Sequence, residues 1–375
     1  MTKAADFAIS ERAIASDTFH PEQVAKDATL LGGYAYQIIR QQSKQVFKLR
    51  SQVLADTDPE NLHQMRIGTR KLAAALQLFE DVVDMSPVRA PDQKATGQSA
   101  AKLVKSVKKL TKALGKVRDI DVMQAWFNQA LQEKASKAKA TSTSSMSLIK
   151  RSLSKKEKKV IQALLKKLKK QRKKELARLE STLSSRTYKK LTDQFKYWVK
   201  QPAFNAAAQQ AAVPGAASKI IEPLTDLLLH AGWQVATRKR GSQYSPLKSI
   251  SLDKLNQALE ESGDRLHDLR KQIKRTRYQT EFFRGLYGIT YAAQVREFRT
   301  LQKVLGGLQD QLVISDLLTQ ELGSDWSQKL PTIHSGFQAN RLDLWKAWQP
   351  LQGKYLQLRS QLLTGTDSPG ATHVA

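Results

Sequence analysis

The sequence predicts an all-α protein, and three observations carry that prediction. Glycine and proline number only 18 and 11 in 375 residues, and no run combines period-two alternation with hairpin turn residues, so strands are not expected. Apolar residues recur instead three and four apart, as in Leu72, Leu76, Phe79 and Val83, and in Leu164, Leu168, Leu176, Leu179 and Leu183. That spacing lines one face of a helix. Helix start signals also stand where the periodic runs begin, as at Asp58-Pro59-Glu60, a capping residue before a proline at the first helical position.

Taken in order, residues 1–21 are expected as a flexible N-terminal segment. Its first twenty residues, MTKAADFAISERAIASDTFH, scatter charge and lack the apolar core of a signal peptide. A first helical half is expected over 22–200. Within it, the helix opened by Pro59 is closed by the stretch from Asp84 to Pro91, which carries two prolines. Residues 155–178, KKEKKVIQALLKKLKKQRKKELAR, place Val160, Leu164, Leu165, Leu168 and Leu176 at helical spacing in a dense field of lysine. This is an amphipathic basic helix. It is expected as a surface helix with a solvated lysine face that steers polyanions, with an acidic membrane or nucleic acid as alternative contacts. Residues 201–217 are small and weakly charged, contain Pro202, Pro214 and Gly215, and are expected as a linker. A second helical half follows over 218–362, with Ser251 and Asp253 as start signals, and residues 363–375 are expected as a flexible tail.

Charge narrows the function. Lys and Arg total 62 against 34 Asp and Glu, and 62 − 34 gives a formal net charge of +28. Self-repulsion on that scale opposes compaction, so a neutralising partner is implied: nucleic acid, acidic lipid or another polyphosphate. The absence of cysteine excludes disulfides, thiolate zinc sites and cysteine nucleophiles. No run reaches the ~18 apolar residues of a membrane span, and a cytoplasmic location is expected.

The chain also repeats itself. LHQMRIGTRKLAAALQLF (62–79) is echoed by LHDLRKQIKRTRYQTEFF (266–283) at an offset of 204, pairing His63 with His267, Arg66 with Arg270, Arg70 with Lys274, Lys71 with Arg275 and Phe79 with Phe283. LVKSVKKLTKALGKVRD (103–119) is echoed by QVREFRTLQKVLGGLQD (294–310) at an offset of 191, pairing Lys105 with Arg296, Lys108 with Arg299, Lys112 with Lys303 and Asp119 with Asp310. At about 100° per residue, His63, Arg66 and Arg70 fall within one narrow stripe, and the lysine set has the same three-then-four spacing. Such stripes cost a few tenths of a kcal/mol per like-charged pair, a sign that a bound anion would reverse.

These residues resemble the CHAD domain, a conserved-histidine α-helical family. The resemblance rests on the paired H-x-x-R-x-x-x-[RK]-[KR] helices at His63 and His267, on LGKVRDIDV at 114–122 and on LESTLSSRTY at 179–188, and spans roughly residues 22 to 362. It implies two antiparallel helical bundles related by a pseudo-twofold axis, with a basic central surface that binds inorganic polyphosphate. The second copy departs from the first at Gln309 and Leu312, where the first has Arg118 and Asp121. A contact made by Arg118 is therefore not expected to have a symmetric counterpart.

The candidate polyphosphate-binding residues are His63, Arg66, Arg70, Lys71, Lys105, Lys108, Lys112 and Arg118 from the first copy. From the second they are His267, Arg270, Lys271, Lys274, Arg275, Arg296, Arg299 and Lys303. Arg66 and Arg270 suit bidentate contacts to phosphate, the remaining lysines and arginines adaptable ones, and the histidines would gain a proton beside a polyanion. Asp119 and Asp310 either orient the basic side chains from behind or serve as helix caps or solvated surface residues. Tyr278, Phe282, Phe283, Trp345 and Trp348 are expected in the core rather than as base-stacking platforms. No phosphate loop, zincin pair or nucleophile elbow occurs, so non-catalytic binding is expected, with no cofactor or metal, and with attachment to polyphosphate granules as its setting. The alternatives are a nucleic-acid-binding protein and, less favoured, an enzyme acting on polyphosphate.

Overall fold

The structure, a computed structural model, describes residues 21–86, 100–132, 153–241 and 243–365. The expected N-terminal segment up to residue 20, the two prolines at 87 and 91, and the tail from residue 366 lie outside the described residues.

In chain order the helices are α1 (Pro21–Lys26), α2 (Leu31–Lys48), α3 (Arg50–Ala55), α4 (Pro59–Leu78), α5 (Ala100–Gln132) and α6 (Lys155–Ser184). Then follow α7 (Arg186–Lys200), α8 (Ala212–Leu229), α9 (Leu252–Phe282), α10 (Ile289–Leu322), α11 (Trp326–Lys329) and α12 (Pro331–Thr364). The fold is all-α. Strands, which the sequence pattern does not announce, are confined among the described residues to two short ribbons. β1 (Val83–Asp84) pairs antiparallel with β2 (Ala203–Phe204), and β3 (Thr237–Arg240) with β4 (Gln243–Pro246).

Local chemistry sets the helix starts. Asp58 accepts the Glu60 N–H at 2.8 Å ahead of Pro59, Ser185 accepts the Tyr188 N–H at 3.1 Å, and Ser251 caps α9 through the Lys254 N–H. At α6, Ser154 and Glu157 form a reciprocal capping box. Glu157 reaches further: its carboxylate also accepts the Thr332 N–H at 2.8 Å and the Thr332 hydroxyl at 3.0 Å, so one buried side chain ties the starts of α6 and α12 together.

The basic helix is likewise anchored. Arg172 forks onto Asp56 through two 2.7 Å bonds and donates from Nε to Asp121 at 2.6 Å. These carboxylates hold its pKa well above the ordinary arginine value. Asp121 thus fixes α6 against α5, while its counterpart in the other copy, Leu312, is exposed on α10.

Residues 201–217, expected as a linker, run through β2, a 3-10 turn (Ala206–Gln209) and the start of α8. Ala208, Ala212 and Ala216 are buried there, because small side chains let this backbone approach α2 closely. A methyl group added to Gly215 would come within 2.8 Å of Leu31.

Three apolar clusters organise the interior. The first gathers α2, α4, the start of α5 and α7; the second gathers α9, the middle of α10 and the second part of α12. The third is shared by both repeats: Ile120, Trp126 and Phe127 of α5 pack with Ile314 and Leu318 of α10, with α6, and with Phe337 of α12. Phe283 belongs to the first cluster, where it meets Phe79 at 5.7 Å and Tyr34 at 5.9 Å. Of the aromatics expected inside, Tyr278, Phe283, Trp345 and Trp348 are buried and Phe282 is partly buried.

Candidate functional site

The site grows out of the way α4 and α9 bury one face. Leu62, Met65, Thr69, Leu72 and Leu76 of α4 face the core, as do Leu266, Leu269, Ile273 and Thr276 of α9. Helical spacing then leaves His63, Arg66 and Arg70, and His267, Arg270 and Lys274, half-buried along the edge of each packed face.

Both arginines lie across a glycine of the neighbouring long helix. A Cβ on Gly115 of α5 would sit 3.3 Å from Arg66 Nε, and one on Gly306 of α10 would sit 3.8 Å from Arg270 Nε. The two glycines are themselves paired by the repeat at an offset of 191. A carboxylate accompanies each guanidinium: Asp119 accepts from Arg66 Nη2 at 3.2 Å, and Asp310 stands close enough to Arg270 to favour its charged form. Of the roles open to Asp119 in the sequence, the geometry is that of a residue orienting an arginine. Burial pushes both guanidinium pKa values down, with Arg70 adding like-charge repulsion.

The two halves converge on Lys274. Burial first, then the charges of Arg70, Arg270, Arg66 and Lys271, push its pKa down to about 8. Four cations from two repeats, Arg66, Arg70, Arg270 and Lys274, therefore share one field. Among the described residues, the shielded Nε atoms of Arg66, Arg118 and Arg270 and Nδ1 of His63 have no hydrogen-bond partner within the chain. A partly desolvated group of like charges with spare donors is electrostatically strained, and an anion with several oxygens relieves both costs.

The histidines differ. His267 donates from Nδ1 to Oε1 of Gln309, which fixes its tautomer when neutral. His63 faces Arg118, the residue Gln309 replaces, and its pKa is lowered by burial and then by that guanidinium, with Glu60 opposing. The sequence departure at 118 and 309 is thus a difference in histidine partner.

The flanking candidates spread more widely. Lys105, Lys108, Lys112, Arg296, Arg299 and Lys303 are exposed on α5 and α10. Lys71 lies 3.8 Å from Glu281, a carboxylate that also takes Arg299 and, at 3.1 Å, Arg277. Lys271 pairs with Asp268 at 3.0 Å. Arg275 stands apart, lining a cleft beside Glu80, Asp81, Glu222 and Asp226. Repeat comparison passes over Arg277 and Glu281 because their counterparts are Ala73 and Gln77. Their only sequence signal is a charged i,i+4 pair on one helix.

A family model described as "CHAD domain" matches residues 37–319 of this chain. Among solved structures, the chain is similar to the CHAD domain from the plant Ricinus communis, at 22% identity and a TM-score of 0.51, covering 95% of this chain and 99% of that one. It is also similar to PptA from Streptomyces chartreusis, at 13% identity and a TM-score of 0.51, covering 88% of this chain and 99% of that one. At these identities the two structures speak for the fold alone. No curated protein matches the chain.

Proposed function

The chain belongs to the CHAD domain family, and on that premise we propose that it binds inorganic polyphosphate at the surface where its two repeats meet. The observation that carries this reading is the cluster of Arg66, Arg70, Arg270 and Lys274, drawn from both copies, in which burial and then the neighbouring cations bring Lys274 down to about 8. A phosphate chain offers closely spaced oxyanions and no base edges, which suits forked cations held over glycines. The bulky aromatics of α9 and α12 lie in the core, and Tyr278, the ring that interacts with Arg66, is itself buried, so among the described residues of these helices no exposed ring is offered to stack on a base, which disfavours nucleic acid. Binding without turnover fits the carboxylates nearby, since Asp119 and Glu281 are each engaged with arginine and Asp310 stands beside Arg270. Attachment to polyphosphate granules follows from the same affinity.

The test is a competition titration at fixed salt, with labelled long-chain polyphosphate displaced by unlabelled polyphosphate, duplex DNA or single-stranded RNA of equal phosphate content. Polyphosphate should compete at least tenfold better than either nucleic acid. Equal competition would mean that net charge alone attracts the ligand.

A further inference from the structure

The two copies of the repeated basic helix are not equally charged. At the offset of 191, Lys109, Lys116 and Arg118 of α5 become Thr300, Gly307 and Gln309 of α10. The extra lysines do not stand on the face that meets Arg66. At about 100° per residue, starting from Gly115 beneath Arg66, Lys108, Lys112, Lys116 and Lys109 follow one another around α5 within roughly 120°. They form a continuous cationic turn away from the central cluster.

That turn ends in a cleft. Lys109, Lys112 and Lys116 of α5 and Arg178 of α6 line a hollow of about 230 Å³, floored by Ala113 and Leu179. Lys112 is common to the central stripe and to this hollow. One carboxylate, Glu175, sits inside it, taking Arg178 and lying 3.8 Å from Lys116. Four cations thus face one carboxylate.

In the second half α12 packs over the corresponding position. Gly307, in place of Lys116, lies under α12 so closely that a Cβ there would come within 2.9 Å of Leu344. Arg299, the counterpart of Lys108, is held by Glu281, whose own counterpart is the neutral Gln77.

We propose that a polyphosphate chain seated on the central cluster continues over the first half only, along α5 into the α5–α6 cleft, where Lys109, Lys112, Lys116 and Arg178 form a second phosphate subsite. This rests on the polyphosphate reading above and gives the bound chain a direction. A short chain occupies the centre; a long one fills the cleft and displaces Glu175 from Arg178.

The experiment titrates the full chain with tripolyphosphate and, separately, with long-chain polyphosphate. Lys109→Gln with Lys116→Gln should weaken long-chain binding about tenfold and leave tripolyphosphate within about twofold, because only the long ligand reaches the cleft. Lys170→Gln with Lys173→Gln removes the same charge from the opposite side of α6 and should change both ligands by less than about twofold. Glu175→Gln should tighten the long chain alone. Equal losses for both ligands in the first variant, or an equal long-chain loss in the α6 control, would overturn the subsite while leaving the central reading intact. Failure of the unmodified chain to bind either ligand would overturn both.

Discussion

Phe79 and Phe283, which occupy the same position in the two repeats, meet edge to face with ring centroids 5.7 Å apart and planes at 82°. Each is fully buried, and each ends the helix that carries its half's histidine and arginine. The two basic helices are thus joined at their ends by their own equivalent residues.

Truncating either ring should be costly. Phe79→Ala or Phe283→Ala removes a buried aromatic and leaves a cavity, at about 3–5 kcal/mol each. The double variant should cost less than the sum by about 0.5–1.5 kcal/mol, the coupling of an edge-to-face pair. Urea unfolding of the four proteins measures it.

Among the cations, position should matter more than charge. Arg66→Ala or Arg270→Ala should weaken polyphosphate binding about tenfold or more, whereas Lys169→Ala, which removes one charge from the exposed face of α6, should change it by less than about twofold. Titration across a salt series checks this, since a lost phosphate contact also lowers the salt slope by about one unit, by analogy with nucleic acid.

If the proposed site is right, Lys274 should set the alkaline limit of binding. An anion stabilises its charged form, so the complex holds more protons than the free protein above pH about 8, and affinity falls as pH rises through that region. Free-protein stability moves the other way. The native state binds fewer protons than the unfolded chain between about 8 and the unfolded value of ~10.4, so stability rises with pH there. Lys274→Arg should flatten both profiles, read by titration calorimetry and thermal melting from pH 7 to pH 10.

On the same reading, His63 should govern the acid side. Its pKa is lowered in the free protein by burial and by Arg118, and an anion bound beside it should raise it. The complex then takes up a proton, so affinity climbs as pH falls through the complex's value and levels off below that of the free protein. His63→Gln should flatten this limb with long-chain ligand. An unchanged limb would assign His63 to structure rather than to binding.

Glu157 accepts from the backbone amides of both Ser154 and Thr332. Burial raises its pKa, but the amides and hydroxyls of Ser154 and Thr332 outweigh burial, and the net shift is downward. A depressed folded value stabilises the protein above the ordinary carboxylate range, and that stabilisation is lost as pH falls through the folded value. Glu157→Gln strands one of two buried amide donors and should cost about 1–3 kcal/mol near neutrality. Melting curves of variant and parent should converge in acid.

The helices and their starts were legible because apolar spacing and capping residues are local chemistry, as at Asp58-Pro59 and Ser251. The repeat brought His63, Arg66 and Arg70 forward with His267, Arg270 and Lys274, since shared positions stand out when two copies are laid together. Positions the copies do not share stayed silent. Arg277 and Glu281 have no charged counterparts, and the hold of Asp121 and Asp56 on Arg172 joins residues more than fifty positions apart. The role of Gly115 was hidden too, because only the packed helices show that an arginine crosses it. Residues 201–217 resemble a linker by composition for the reason that they pack tightly: small side chains permit either.

The third apolar cluster, where the far ends of α5 and α10 meet, lies beyond one end of the α4 basic stripe, and the Phe79–Phe283 contact lies beyond the other. Packed at both ends, the helices carrying Arg66 and Arg270 should hold the two guanidinium groups at a set spacing. Binding at the proposed site would then spend little on ordering the protein, and a flexible phosphate chain would have to conform to the spacing of the cations. Selectivity among polyanions would accordingly follow the repeat distance of their charges more than their total number.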